Sequence, residues 1–516
     1  MITTLRVRIK DRERQKYFGA YLGGKLIGLG VVVLAMWGIT WYLSTKAGAT
    51  MLGQTTPTVT AKDTVSPINT TWVLVTAFLV FFMQAGFMFL EAGFARTREV
   101  SNVMISCIAD TALCALLFWA FGFAFMFGSG NGWIGHQYFF LHGAPTTYGS
   151  TGVAFLAFFL FQYAFADTCS TVTTGAMVGR TAFGGDLLYS VAVSGFIYPI
   201  IGHWVWGPDG WLATMQTPFH DFAGSTVVHS IGGFIALAGA IVLGPRLGRK
   251  FKRDGGGMPP GHDMAIAAVG GVILWFGWYG FNPGSTLSAM DFEGIGRVAT
   301  NTTLAASAAG LVAMFVTYGR TKKWDTGISI NGFLAGLVAI TCPCYWVSPF
   351  GAICIGAIAG VVVIAGIELL EYLRIDDPIG AWPVHGLCGI WGTLSLGLFA
   401  TGQFGLPTST GPDTSTAFTG LFYGGGFHQL QFQFFGSLVV CAATFIIALI
   451  VMYAVNALGI LRISADTEIE GLDLHEHGAP AYHPEYAYMG YSALPPGKPS
   501  VPLPAGAPAA SVGVGE

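Results

Sequence analysis

Two segments, HDFAGSTVVH at 220–229 and DDPIGAWPVH at 376–385, each set a carboxylate eight positions ahead of the His of a Val-His pair: Asp221 before His229, and Asp377 before His385. A neutral imidazole donates a hydrogen bond from one nitrogen and accepts one at the other, and it changes charge near neutral pH. A duplicated His therefore suits a proton or a small polar molecule on a narrow path. A metal centre is a poor fit, because the two His lie far apart in the chain and neither has a clustered third ligand. Each Asp is expected to act first as a helix cap, and Asp377 precedes Pro378, a residue type favoured in the first helical turn. From cap to His a helix rises about 12 Å and turns about 80 degrees, so the carboxylate need not touch the imidazole. Asp221 is expected to add an electrostatic bias toward cations.

The chain that must hold these residues is 53% hydrophobic and 10% charged, against about a quarter charged in ordinary soluble domains. Such a chain cannot cover itself with a polar surface, and its 73 glycines and 40 phenylalanines suit helices packed through small residues and facing lipid with large ones. No basic domain accompanies the net charge of −3, which sets nucleic acid aside as a partner. The eight cysteines fall mostly in apolar runs, where a thiol behaves as a small hydrophobe. Only Cys342-Pro-Cys344 is close-spaced, and an isolated CxC reads as structural. Neither a cofactor nor an enzymatic centre is called for.

Apolar runs long enough to cross a hydrocarbon core, which takes about 20 residues, fall near 71–93, 101–128, 151–177, 187–206, 222–244, 263–285, 298–319, 328–347, 352–372, 383–401 and 431–457. Ahead of them, 1–49 has a basic front, a short apolar stretch and an Ala47-Gly48-Ala49 site, the pattern of a signal peptide or an uncleaved extra span. Residues 50–70 read as an external polar segment, 71–460 as the membrane domain, 461–491 as a cytoplasmic regulatory tail, and 492–516 as a disordered Pro/Ala-rich end. Lys and Arg fill alternate loops: Arg96 and Arg98, then Arg180, then PRLGRKFKRD, then RTKK; the loops after spans two, four, eight and ten hold none, and the loop after span six has only Arg297. That alternation places the start of the first core span outside and the C-terminus inside a plasma (inner) membrane. The paired Asp…His segments then open spans five and ten. Two five-span halves of opposite orientation meeting at a shared seam would make a 5+5 inverted repeat plus one extra helix, an all-α polytopic bundle of eleven spans.

Aromatic residues crowd span ends in FQYAFAD (161–167), HWVWG (203–207) and WFGWYGFNPGS (275–285). A membrane-interface belt is the ordinary use of Trp and Tyr, but ring faces also attract a desolvated cation by up to about 2 kcal/mol. Together with FMQAGFMFLEAG, VWG, DFAGSTVVH, DDPIGAWPVHGLCGIWG and EGLDLHEHGAPAY, taken in order from 71 to about 482, these segments make the sequence resemble ammonium transporters of the Amt/MEP/Rh superfamily. The resemblance implies a homotrimer with one pore per subunit, no cofactor, and a possible PII-type signalling partner at the cytoplasmic face. It implies that Trp206, Phe165 and Ser285 recruit ammonium externally, with Asp221 supporting them. Phe165 and Phe281 would stack as the gate, His229 and His385 would line the pore, and Trp278 would join them. Four places depart from the family pattern: GAMVGR lacks a Glu before Arg180, Asp167 stands where a small apolar residue is usual, Pro283 replaces a small residue, and the tail reads GAPAY. These bear on rate, gate geometry and tail regulation rather than on the substrate.

Ammonium matches potassium in size and charge, and the chain offers no carbonyl filter such as TVGYG. The expected mechanism is loss of a proton at the aromatic site and passage of ammonia along the imidazoles, with or without the proton. An ammonium sensor of the same fold with little transport is the alternative reading.

Overall fold

The computed structural model describes residues 62–482, with side chains from Val65 onward. The expected signal segment 1–49 and the 492–516 end lie outside the described residues.

The main helices follow the apolar runs: α1 Lys62–Phe94, α2 Thr97–Phe127, α3 Phe155–Gly175, α4 Phe183–Trp206, α5 Ser225–Leu243, α6 Met264–Gly284 and α7 Phe292–Thr321. They continue with α8 Thr326–Thr341, α9 Pro349–Leu373, α10 at 382–399 and α11 His428–Ala457. Among the described residues nine of these are long and apolar enough to cross a membrane; α8 is shorter and α10 does not meet that measure. Helix α1 starts at Lys62, inside the stretch that reads as an external polar segment. Short hairpins decorate the loops at one end: β1 Gly130–Asn131 with β2 Ile134–Gly135, β3 Thr147–Tyr148 with β4 Val153–Ala154, and β5 Leu406–Thr408 with β6 Gly411–Asp413.

Small residues let the helices approach closely. A Cβ on Gly93 of α1 would stand 2.5 Å from the Ala267 backbone nitrogen of α6, and one on Gly356 of α9 would stand 2.1 Å from the Ala305 carbonyl of α7. Such contacts replace the water-driven hydrophobic effect, which is weak between helices in lipid, with backbone-to-backbone dispersion. Large apolar side chains such as Phe78, Leu116, Phe276 and Ile450 point outward, as a lipid-facing surface requires.

The end carrying the tail is ionic. Asp376 takes the Arg246 guanidinium through two bonds of 2.8 and 3.0 Å and Arg249 at 3.1 Å, while Arg180 donates to its carbonyl at 2.6 Å. Burial alone would raise the Asp376 carboxyl, but the Arg246 hydrogen bonds and charge, with Arg180 behind them, hold it well below the usual carboxylate range. The tail forms α12 Ala465–Glu470 and α13 Leu472–His477. Glu468 binds the Leu247 N–H at 2.7 Å and Arg462 at 3.0 Å, Asp473 binds the Asn102 N–H at 2.9 Å, and Glu476 binds the Phe183 N–H at 2.7 Å. The tail thus ties together the loops that carry Arg96, Arg180 and Arg246.

Candidate functional site

Both Asp…His segments fold the same way. Asp221 Oδ1 accepts from the Gly224 and Ser225 N–H groups at 2.9 and 3.0 Å, and Oδ2 accepts from Thr226 and Val227 at 2.8 and 2.9 Å. Asp377 Oδ1 accepts from Gly380 and Ala381, both at 3.0 Å, and Oδ2 from Trp382 at 2.9 Å. In each case the glycine three residues on has positive φ, 113° at Gly224 and 81° at Gly380, a region that glycine enters without a Cβ penalty. The helix then opens with a π turn, Ser225–Ser230 or Trp382–Leu387, in which His229 N–H reaches back to the Gly224 carbonyl at 3.0 Å. Both carboxylates cap their helices from upstream of the N-cap position. Pro378 is not in the first helical turn as its position suggested: it lies in the capping loop, and the proline of the first turn is Pro383.

The π turns deliver the two imidazoles to one point. His385 Nδ1 and His229 Nδ1 are 3.2 Å apart, so one ring donates and the other accepts, and both rings are buried. A Cβ on Gly233 of α5 would sit 2.3 Å from the Gly386 backbone nitrogen of α10. Only glycine at 233 lets the two helix starts approach this closely. His229 stacks on Trp278 and Phe281 of α6, with centroids at 5.1 and 5.4 Å. The Trp278 indole is locked by a 2.9 Å bond to Thr341 Oγ1, at the end of α8. Just past the end of α8 stands Pro343, which has no N–H to continue the helix, and the Thr341 and Cys342 carbonyls accept from Ala223 and Phe222 at 3.2 and 3.3 Å, clasping the loop before α5. Cys342 and Cys344 are buried free thiols in this clasp.

Above the histidines, Phe165 and Phe281 stack at 4.0 Å and 22°. Over that pair opens a cavity of about 490 Å³ lined by Phe165, Trp206, Asp221 and Ser285. The Trp206 ring meets Phe165 edge-on at 6.1 Å, and its indole N–H donates to the Asp221 carbonyl at 2.7 Å. Ser285 Oγ donates to the Phe281 carbonyl at 2.9 Å, leaving its lone pairs free as acceptors. The Asp221 carboxylate is occupied by backbone N–H groups, so its part in the vestibule is to hold the loop and, through its carbonyl, the Trp206 ring. Trp204 turns away and packs on Trp133 and Trp211.

Residues that sequence reasoning missed also line the cavity. They include Gln162, Trp346 and His220, which lies parallel to Phe418 at 4.5 Å; burial holds the His220 imidazole down to about 4. His220 immediately precedes Asp221, and that adjacency was the available signal. The missing Glu before Arg180 has a counterpart: a side chain at Gly179 would run into the Glu99 carboxylate, which is buried there with Arg96 bound to it. Asp167 is fully buried on α3, near Gln84, Thr111 and Tyr163.

The model of the Ammonium Transporter Family matches residues 71–482. Ammonium transporter Amt2 of Archaeoglobus fulgidus is 43% identical over 429 residues, covering 81% of this chain and 88% of that one. Ammonium transporter 1 member 3 of Solanum lycopersicum is 38% identical over 436 residues, covering 80% and 93%. Among solved structures, one titled Sensor Amt Protein superposes with TM-score 0.73 at 36% identity, covering 81% of this chain and all of that one. Candida albicans Mep2 superposes with TM-score 0.69 at 29% identity, covering 78% and 87%.

Proposed function

Because this chain belongs to the ammonium transporter family, we propose that it recruits ammonium in the vestibule of Trp206, Phe165 and Ser285, strips a proton there, and passes ammonia between His229 and His385, the proton either crossing with it or returning to the external water. The observation that carries this is the 3.2 Å contact of two buried imidazoles beneath a stacked Phe pair, on the axis of an aromatic-lined cavity. Ring faces and a hydroxyl acceptor suit a partly dehydrated cation. The apolar stretch below charges any ion a large desolvation penalty. Ammonium escapes that penalty by giving up its proton, and potassium cannot. The stacked rings of Phe165 and Phe281 act as the gate, and Trp278 fixes the wall against which His229 lies.

In this reading α1–α5 and α6–α10 are inverted halves and α11 is the extra helix, for a total of eleven spans. Support comes from the duplicated Asp-x-x-Gly cap and π turn at the starts of α5 and α10. The vestibule faces outside, the tail and the basic loops face the cytoplasm, and the membrane is the plasma (inner) membrane. A homotrimer and a PII-type partner at the tail face complete the proposal.

The test is labelled methylammonium uptake into proteoliposomes. Wild-type protein is expected to take it up and the His229→Ala, His385→Ala double variant to lose at least nine-tenths of that rate; a double variant with wild-type uptake would overturn the reading. The likeness to a solved Sensor Amt Protein favours a second reading, an ammonium sensor that signals through its tail and conducts little. Folded wild-type protein that binds ammonium without uptake would select it.

A further inference from the structure

Each ring of the stacked Phe pair has a polar neighbour one helical turn away that also lines the vestibule. On α3, Gln162 precedes Phe165 by three residues; at the end of α6, Ser285 follows Phe281 by four. Residues at these spacings share a helix face, and Gln162, Phe165 and Ser285 all border the cavity. Gln162 is only 7% exposed, and among the described residues its buried Oε1 has no hydrogen-bond partner. Buried carbonyls are almost always bonded, and one left alone forfeits the hydration it lost. Neighbouring polar groups are already occupied. Thr286 Oγ1 donates to the Pro283 carbonyl at 2.9 Å and accepts from Trp72 Nε1 at 3.1 Å, Trp206 Nε1 donates to the Asp221 carbonyl at 2.7 Å, and both Asp221 carboxylate oxygens hold backbone N–H groups. Ser285 Oγ gives its proton to the Phe281 carbonyl at 2.9 Å, so it meets the cavity as an acceptor.

Among these groups two acceptors remain for a guest, the Gln162 carbonyl on the α3 side of the ring stack and the Ser285 hydroxyl on the α6 side. The terminal torsion of a Gln side chain is soft, so a half-turn of the amide swings Oε1 from the wall toward the cavity. Ammonium has N–H donors on every side and no acceptor. Ring faces attract any cation of its size, but an oxygen lone pair bonds an N–H in one direction, and an orphaned acceptor gains most from such a bond.

We propose that Gln162 is a specificity-determining residue of the vestibule: its carbonyl takes one N–H of the recruited cation while Ser285 Oγ takes another, so that the site reads how many N–H groups a cation carries. The inference rests on ammonium recruitment in this vestibule. Each methyl that replaces a hydrogen removes a donor. Trimethylammonium keeps a single N–H, which Ser285 alone satisfies, and the Gln162 carbonyl then stays unpaired. Ammonium and methylammonium use both acceptors. A site built to hydrogen-bond its substrate discriminates against an analogue lacking that donor because its own polar group is left without a partner. The cavity, at about 490 Å³, has room for every member of the series, so the discrimination comes from donors rather than from size.

The test uses full-length protein in proteoliposomes and measures the inhibition constants of unlabelled ammonium, methylammonium, dimethylammonium and trimethylammonium against uptake of labelled methylammonium. In wild type the constants are expected to rise along the series as donors are lost. Gln162→Leu removes the acceptor at similar volume; it should raise the ammonium constant at least about tenfold, the loss of one hydrogen bond to a charged partner, and move the trimethylammonium constant by less than about twofold, which compresses the series. Gln162→Glu keeps an acceptor at the same reach and should restore the spread. A residue that only shapes the wall would shift all four constants by one factor. That equal shift, or an ammonium constant unchanged in Gln162→Leu because water alone meets the carbonyl, would overturn the inference and leave the pore reading standing. A wild type that takes up no methylammonium would sink the pore reading itself, and this inference with it. If Gln162→Leu does not give a monodisperse protein, Gln162→Met, of similar length, carries the same expectations.

Discussion

Replacing Asp221 by Asn separates two roles that its position beside the vestibule would otherwise confuse. The carboxylate accepts four backbone N–H bonds, two on each oxygen, at 2.8 to 3.0 Å. An Asn carbonyl can keep two of them, but its amide nitrogen, itself a donor, strands the other two. A stranded buried donor costs about 1–3 kcal/mol, so Asp221→Asn should destabilise by about 2–6 kcal/mol. At the specific unfolding entropy usual for globular proteins, a fold of this size loses about 1 °C of Tm per kcal/mol. Asp377 supplies an internal comparison, because its Oδ1 serves Gly380 and Ala381 while Oδ2 serves Trp382 alone. Asp377→Asn strands one donor and should cost about half as much. Thermal unfolding of the detergent-purified variants, followed by tryptophan fluorescence, reads both values. An Asp221→Asn protein that melts within 1 °C of wild type yet loses uptake would show that the carboxylate acts on the ion, and the capping argument would be wrong.

Three further outcomes follow from the geometry. Gly233→Ala would drive a methyl into the Gly386 backbone and part the two imidazoles, so methylammonium uptake should fall at least about tenfold with a stability loss of about 1–3 kcal/mol; Gly296→Ala, which faces open space, is the control. Trp206→Leu removes a ring face worth up to about 2 kcal/mol to a desolvated cation, so the uptake KM should rise by as much as about thirtyfold at little changed maximal rate, and an unchanged KM would remove Trp206 from recruitment. Asp376 is held well below the usual carboxylate range by Arg246. Its depressed value contributes stability that is present above the unfolded carboxyl value near 4 and is lost as pH falls toward the folded one. Melting temperature should therefore drop steeply below about pH 4, and Asp376→Asn should be less stable at neutral pH and flatter in acid.

Much of the site was legible because its chemistry is carried by residue types that a membrane makes conspicuous. His229, His385, Asp221 and Asp377 stand out against an apolar background, and the duplication of their spacing marked them as a pair. The apolar runs located the helices for the same reason. What spacing could not reveal was local backbone form. A π turn and a straight α turn share one hydrophobic pattern, so the element that aims each His was hidden, and Pro378 looked like a first-turn proline when Pro383 takes that place. Close approach was equally hidden: among 73 glycines, nothing in the sequence singles out Gly233. Asp167 was marked as a departure, but its full burial depends on how its neighbours pack around α3.

The two caps also bear on selectivity. A carboxylate lining the lumen would attract potassium as readily as ammonium, since at a fixed anion the two differ little. Here each Asp near the imidazoles faces backbone N–H groups, four at Asp221 and three at Asp377, which hold its charge at the helix start. The charge that a sequence reading assigns to cation attraction is thereby turned toward the backbone, and the aromatic rings remain as the cation-attracting surface of the vestibule. On the proposed mechanism that division is required: the attraction must be strong enough to recruit a cation and must end at the Phe165–Phe281 pair, because a counter-charge beyond it would let any monovalent ion of that size follow.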